Sequence, residues 1–229
     1  DRSPSRGLGD VYKRQILYGL HLAKESARQE GIVIVEGYMD AVAAHQEGFN
    51  NVVASMGTAL TENQVAEIRR LTKDVTMALD ADVAGQQATL RSLESSWRVL
   101  QTQVAGRSQG TTLFQRPEML NLKIAVMPEG MDPDDLIHRS PEEWAQLIQE
   151  GPSYIEYLLK VLPVQLDAST PQGKSQIVSV VLPSIQAVPE PFQQDYYFQM
   201  LADQLGVTRE TLQATIDRPG AARQTRSCL

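Results

Sequence analysis

Three acidic pairs recur along the first part of the chain: Glu36 with Asp40, Asp80 with Asp82, and Asp132 with Asp134. Each pair closes or follows a short apolar run, I-V-I-V before Glu36, T-M-A-L before Asp80 and I-A-V-M before Asp132. Six carboxylates brought to one place would repel one another, so such a cluster needs cations to neutralise it. An all-carboxylate donor set suits Mg²⁺ or Mn²⁺ rather than zinc. Taken singly, each motif also has a plain reading. Glu36-Gly37 is a turn into a helix whose first turn Asp40 favours through the dipole. Asp80-Ala81-Asp82 is a solvated turn capping the next helix, and Met131 to Asp135 is an acidic turn before Leu136. The coincidence of three pairs at equivalent places is what favours a site for one or two divalent metals.

Equivalent places here means strand ends. Gly31 to Val35, Asn51 to Ala54, Asp74 to Leu79 and Leu122 to Met127 read as short β-branched runs of the kind buried on both faces of a parallel sheet. Helical stretches separate them: Met39 to Gln46, Thr61 to Leu71 with a Thr-x-x-Gln capping box, and Ala84 to Leu100. Alternation of this kind predicts an α/β fold with right-handed crossovers, in which the C-terminal strand ends share one edge. Gly37, Gly57 and Gly85 fall at or beside strand-to-helix junctions, where a small residue lets backbone or ligand approach. His21, His45 and His138 show no ligand spacing and read as surface or boundary residues. Tyr196-Tyr197-Phe198 reads as helix packing before base stacking. No phosphate-cradling Walker loop and no nucleophile elbow occurs.

The 229 residues, 42% hydrophobic and 21% charged, suit one large or two small globular domains, and no apolar run approaches the ~20 residues needed to span a bilayer. The single cysteine, Cys228, excludes a disulfide framework and points to a reducing compartment. A net charge of −7 argues against gripping nucleic acid by bulk electrostatics. Residues 1–15 and 218–229 read as a non-native or disordered leader and tail. Residues 16–150 form an α/β domain, interrupted between Gln101 and Asn121 by a long surface loop of insertion character. From Ser140-Pro141-Glu142-Glu143 onward the pattern is helical, with starts at Thr170-Pro171 and Thr208-Arg209 and a domain of residues 151–217.

The ordered motifs Glu36-Gly37-Tyr38-Met39-Asp40, Ala54-Ser55-Met56-Gly57-Thr58-Ala59-Leu60, Asp80-Ala81-Asp82-Val83-Ala84-Gly85 and Met127 through Leu136 resemble those of bacterial DnaG-type primases. They span the Toprim subdomain. Leu166 through Lys174 and Leu182-Pro183-Ser184-Ile185 resemble the helical part that follows it in the primase core, so the resemblance runs from about Ile16 to Ile216. Ala81 departs from the family's usual Asp-Gly-Asp turn but keeps both carboxylates. The resemblance implies a Toprim-type parallel sheet followed by an all-helical subdomain, in a DNA-directed RNA polymerase that makes short RNA primers. It implies Mg²⁺ or Mn²⁺ held by Glu36, Asp40, Asp80, Asp82, Asp132 and Asp134. Glu36, Asp80 and Asp82 would be catalytic, with Gly37, Gly57, Thr58 and Gly85 where backbone meets nucleotide.

Implied partners are single-stranded DNA template, ribonucleoside triphosphates and a replicative helicase, the last through a domain expected outside this chain, as is the family's zinc-binding module. No membrane is involved, and the implied location is the bacterial cytoplasm at the replisome. Two other readings stay open on the residues alone. A Toprim-type nuclease would use the same acids to cleave DNA, and a non-catalytic module would bind metal and nucleotide without polymerising.

Overall fold

The computed structural model describes residues 16–56, 59–81, 87–102 and 120–216. Gly57, Thr58, Asp82 and Gly85, the expected leader and tail, and nearly all of the expected 101–121 loop lie outside these residues. The chain folds as two compact units divided between Ser153 and Tyr154.

The first unit contains a four-stranded, all-parallel sheet: β1 (Ile32–Val35), β2 (Val52–Ala54), β3 (Asp74–Leu79) and β4 (Asn121–Val126), in the order β2-β1-β3-β4. The register sets Val33 against Val52 and Thr76, and aligns β3 with β4 from Asp74–Asn121 through Leu79–Val126. Among the described residues five helices accompany it: α1 (Leu20–Glu30), α2 (Tyr38–Gln46), α3 (Glu62–Arg69), α4 (Gln87–Thr102) and, after β4, α5 (Pro133–Arg139), followed by a sixth, α6 (Pro141–Glu150).

Strand alternation sorts the side chains between two layers. Val33, Val35, Val52, Ala54, Ala78 and Ala125 share one cluster with Ala41 and Ala44 of α2, Leu136 and Ile137 of α5 and Trp144 of α6. On the other face Ile34 and Met77 meet Leu93 of α4. Phe49 packs edge-on against Trp144, with ring centroids 6.2 Å apart. The order of strands reverses between β1 and β3, which makes their C-terminal ends the switch point where open α/β sheets bind ligands.

Helix α1 lies outside the elements expected from sequence, yet its signal is present. Leu20, Ala23 and Ala27 are buried at spacings of three and four, and glycines frame the helix at φ +80° (Gly19) and +83° (Gly31). A Cβ on Gly31 would come within 3.0 Å of the Asp74 carbonyl oxygen, so glycine here also lets β1 enter close beside β3. At α3 the capping box is complete: Thr61 Oγ1 accepts from Gln64 N–H, and Gln64 Oε1 accepts from Thr61 N–H at 2.9 Å.

The second unit is helical throughout its described residues: α7 (Tyr154–Gln165), α8 (Pro171–Gln186), α9 (Pro191–Leu205) and α10 (Arg209–Ile216). Thr170 caps α8 through Gly173 N–H, and Thr208 Oγ1 accepts from Thr211 N–H at the start of α10. The aromatic run on α9 divides its roles. Tyr197 is buried, Phe198 lies beneath the Arg209 guanidinium at 5.6 Å, and Tyr196 is exposed. Among the described residues no helix is long and apolar enough to cross a membrane.

Candidate metal centre

Each acidic motif follows the C-terminal end of a strand on the shared edge. Glu36 and Asp80 directly follow β1 and β3, and the loop after β4 delivers Asp132 and Asp134 to the start of α5. Asp40 sits in the first turn of α2 and folds back over it, so that its Oδ2 accepts the Gly37 N–H at 3.1 Å. A Cβ on residue 37 would lie 2.9 Å from that oxygen, the end of a side chain that can shift, and Gly37 has an extended backbone that any residue adopts.

Four carboxylates are brought together. Burial pushes the Asp40 carboxyl up to about 6; the Gly37 hydrogen bond pulls the other way, and the charges of Asp132, Asp80 and Asp134 raise it further. A half-buried acid held among three like charges has a deficit that a divalent cation removes, and the donors are all carboxylate oxygens. The residues therefore fit a hard divalent cation. The set is convergent and open: among the described residues no three acidic, histidine or cysteine side chains already close around one point.

Glu36, directly after β1, is exposed and lines a small cavity with Ile34, Val35, Ser55, Met77, Ala78 and Leu93. Asp132 has a structural task as well, since its Oδ1 accepts the Asp135 N–H at 2.8 Å and caps α5 with Pro133 at the first helical position. The acidic-turn reading of this motif thus holds alongside its place in the cluster.

His138 is exposed, as the sequence reading expects, and it has one partner that reading did not name. Its Nδ1 lies 2.7 Å from Asp134 Oδ1 one helical turn away, and hydrogen bonding to Asp134 raises the imidazole pKa. The four-residue spacing of Asp134 and His138 on one helix was the available signal.

The Asp40 environment has a thermodynamic sign. Its folded-state pKa of about 6 lies above the unfolded 3.8, so the native state holds the extra proton between these values and stability falls as pH rises through that window. Asp40→Asn keeps an oxygen for the Gly37 N–H and removes the charge. It is expected to stabilise the metal-free chain at pH 7.5 by about 1 kcal/mol, after discounting the shift for partial solvent exposure. Thermal melts without divalent ions should show the gain at pH 7.5 and its disappearance near pH 4. A gain independent of pH would refute the electrostatic cause.

Comparison with known proteins places this geometry. Residues 30–105 match the family model of the Toprim domain, and residues 155–210 match that of the DnaB-helicase binding domain of primase. The chain is 30% identical to the DNA primase of Clostridium acetobutylicum over 197 residues, covering 86% of this chain and 30% of that protein. It is 32% identical to the Escherichia coli DNA primase over 198 residues, 86% of this chain and 31% of that protein. The solved DnaG catalytic core superposes with a TM-score of 0.65 at 31% identity, over 87% of this chain and 60% of that one. A DnaG primase catalytic domain bound to single-stranded DNA gives 0.64 at 31% identity, over 83% and 57%.

The parallel sheet with acids gathered at its switch point is thus a Toprim domain. The chain belongs to the DnaG-type DNA primases, and it spans about 30% of the length of the curated relatives it matches. One expectation is corrected by the second family match. The helicase contact was placed wholly outside this chain, whereas a segment matching the helicase-binding model lies within it at 155–210.

Proposed function

We propose that this chain is the acid-bearing and helical part of a primase, which in the whole protein serves DNA-directed synthesis of short RNA primers from ribonucleoside triphosphates. The observation that carries the reading is the convergence of Asp40, Asp80, Asp132 and Asp134 at the switch point of a Toprim sheet. Asp80 and Asp82 serve as the principal ligands of Mg²⁺ or Mn²⁺, with Asp40, Asp132 and Asp134 as further ligands or as acids that orient them. When bound, the cations offset charge on the triphosphate and its pyrophosphate leaving group and make the attacking 3′-hydroxyl more acidic. Glu36 acts as ligand or general base toward that hydroxyl. Gly37, Gly57, Thr58 and Gly85 are where backbone approaches the nucleotide.

With a net charge of −7, this chain relies on other parts of the whole protein to grip single-stranded template. The helicase partner is assigned to the second unit on the strength of its family match, and the setting is the bacterial cytoplasm.

The test is calorimetric titration of the chain with Mn²⁺, alongside the double variant Asp80→Asn/Asp82→Asn. Saturable binding in the parent, weakened at least about tenfold in the variant, is expected from the loss of two anionic ligands. A parent chain that is folded by circular dichroism yet binds no Mn²⁺ would overturn the reading.

A further inference from the structure

Among the described residues, five of the eight exposed large hydrophobic side chains lie between residues 16 and 39: Ile16, Tyr18, Leu22, Tyr38 and Met39. Within them Tyr18 and Tyr38 form an edge-to-face pair, with ring centroids 5.9 Å apart and planes inclined at 64°. Tyr18 is fixed to the outer edge of β2 by two backbone hydrogen bonds, its N–H donating to the Ala54 carbonyl at 2.9 Å and its carbonyl accepting from Ala54 N–H at 3.0 Å. Tyr38 is the first residue of α2, between Glu36 and Asp40 in sequence. The two rings remain 43% and 49% exposed, so they add little to the core, yet their backbone mounts are rigid.

The pair lies at the same sheet edge as the acids but toward its other side. Tyr18 lies beyond β2, whereas Asp80, Asp132 and Asp134 follow β3 and β4. Residues two apart on a helix diverge, so Tyr38 and Asp40 leave the α2 N-terminus in different directions, one toward Tyr18 and the other toward the acids. Neighbouring strands are about 5 Å apart, which sets the Tyr18 bridge three strand spacings, roughly 15 Å, from β3 and Asp80. The edge is therefore polarised, aromatic on one side and cation-attracting on the other. A nucleoside triphosphate has the same polarity, with a flat apolar base at one end and anionic oxygens at the other.

Resting on the metal reading above, the geometry points to Tyr38, braced by Tyr18, as the surface on which the base of the bound nucleotide stacks. Tyr38 is then a positioning residue that is indifferent to base identity, since every base presents a π-face. The exposed Ile16, Leu22 and Met39 make a polypeptide the competing occupant of this patch.

The experiment uses the full chain in Mg²⁺ and compares ATP with inorganic tripolyphosphate, which keeps the anion and lacks the base. Tyr38→Ala is expected to weaken ATP about tenfold, within the range set by losing one stacked base, and to leave tripolyphosphate unchanged; Tyr38→Phe restores ATP binding. In parallel, adenosine without metal should shift the ring resonances of Tyr38 and Tyr18 in NMR spectra of ring-labelled protein. Tripolyphosphate that fails to bind while adenosine still shifts the rings would sink the metal reading and leave the stacking surface standing. Silent ring resonances, or an equal loss of ATP and tripolyphosphate in Tyr38→Ala, would overturn the stacking surface and give the patch to a protein partner.

Discussion

Asp80→Asn, introduced into a whole primase that carries this segment, is expected to reduce primer synthesis at least about 1000-fold, the effect of losing several kcal/mol of metal-mediated charge stabilisation. The whole protein is needed because the chain spans about 30% of its relatives' length. Asp80 directly follows β3 at the switch point, and it is one of the three charges that raise Asp40. Asparagine is nearly isosteric, so the variant removes charge without opening space, and relief of repulsion within the cluster leaves the fold at least as stable. Loss of synthesis with an unchanged melt would therefore report a missing ligand. Glu36→Gln should act as strongly, since Glu36 directly follows β1 at the same switch point. Primer assays with labelled ribonucleotides on single-stranded DNA decide both. Synthesis at parental level by either variant would reject that residue's assignment.

The sheet was legible because parallel strands buried on both faces leave an unmistakable trace: four short apolar runs, three of them leading into an acidic pair. Their convergence on one edge followed from topology alone. What the sequence concealed was the burial of Asp40. Asp40 was legible as a first-turn acid, and its bond back to the Gly37 N–H is local to that turn, but its burial near the charges of Asp80, Asp132 and Asp134 depends on elements far apart in sequence, which no local pattern encodes. The Tyr18 bridge to Ala54 is equally nonlocal, joining residues 36 positions apart. Helix α1 was hidden by its polar surface, since only Leu20, Ala23 and Ala27 mark its buried side.

In the helical unit the resemblance to primases singled out Leu166 through Lys174 without a reason for the residues, and the structure supplies one. The turn after α7 is wound tightly onto the first turn of α8. Asp167 holds a positive φ of 22°, and its carboxylate accepts from Ser169 N–H and Oγ–H. Its carbonyl accepts from Thr170 N–H at 3.1 Å. Thr170 Oγ1 then accepts from Gly173 N–H at 3.0 Å, capping α8. Gly173 is buried beneath this turn, and a Cβ there would lie 2.2 Å from the carbonyl oxygens of both Leu166 and Asp167.

Those atoms are backbone, already committed to the turn, and cannot rotate away as a flexible side chain would. Gly173→Ala is therefore expected to destabilise the helical unit by about 3 kcal/mol or more, the upper range for overpacking, although alanine is the better helix former. Helix propensity alone predicts the opposite sign, a gain of up to about 1 kcal/mol. Both tryptophans, Trp97 and Trp144, precede Tyr154, so their emission follows the acid-bearing unit, while far-UV circular dichroism also registers α7 to α10. Urea unfolding read by both signals should show the circular-dichroism midpoint lowered in Gly173→Ala. A midpoint unchanged or raised would mean that the turn yields to the added methyl and that glycine is not required there.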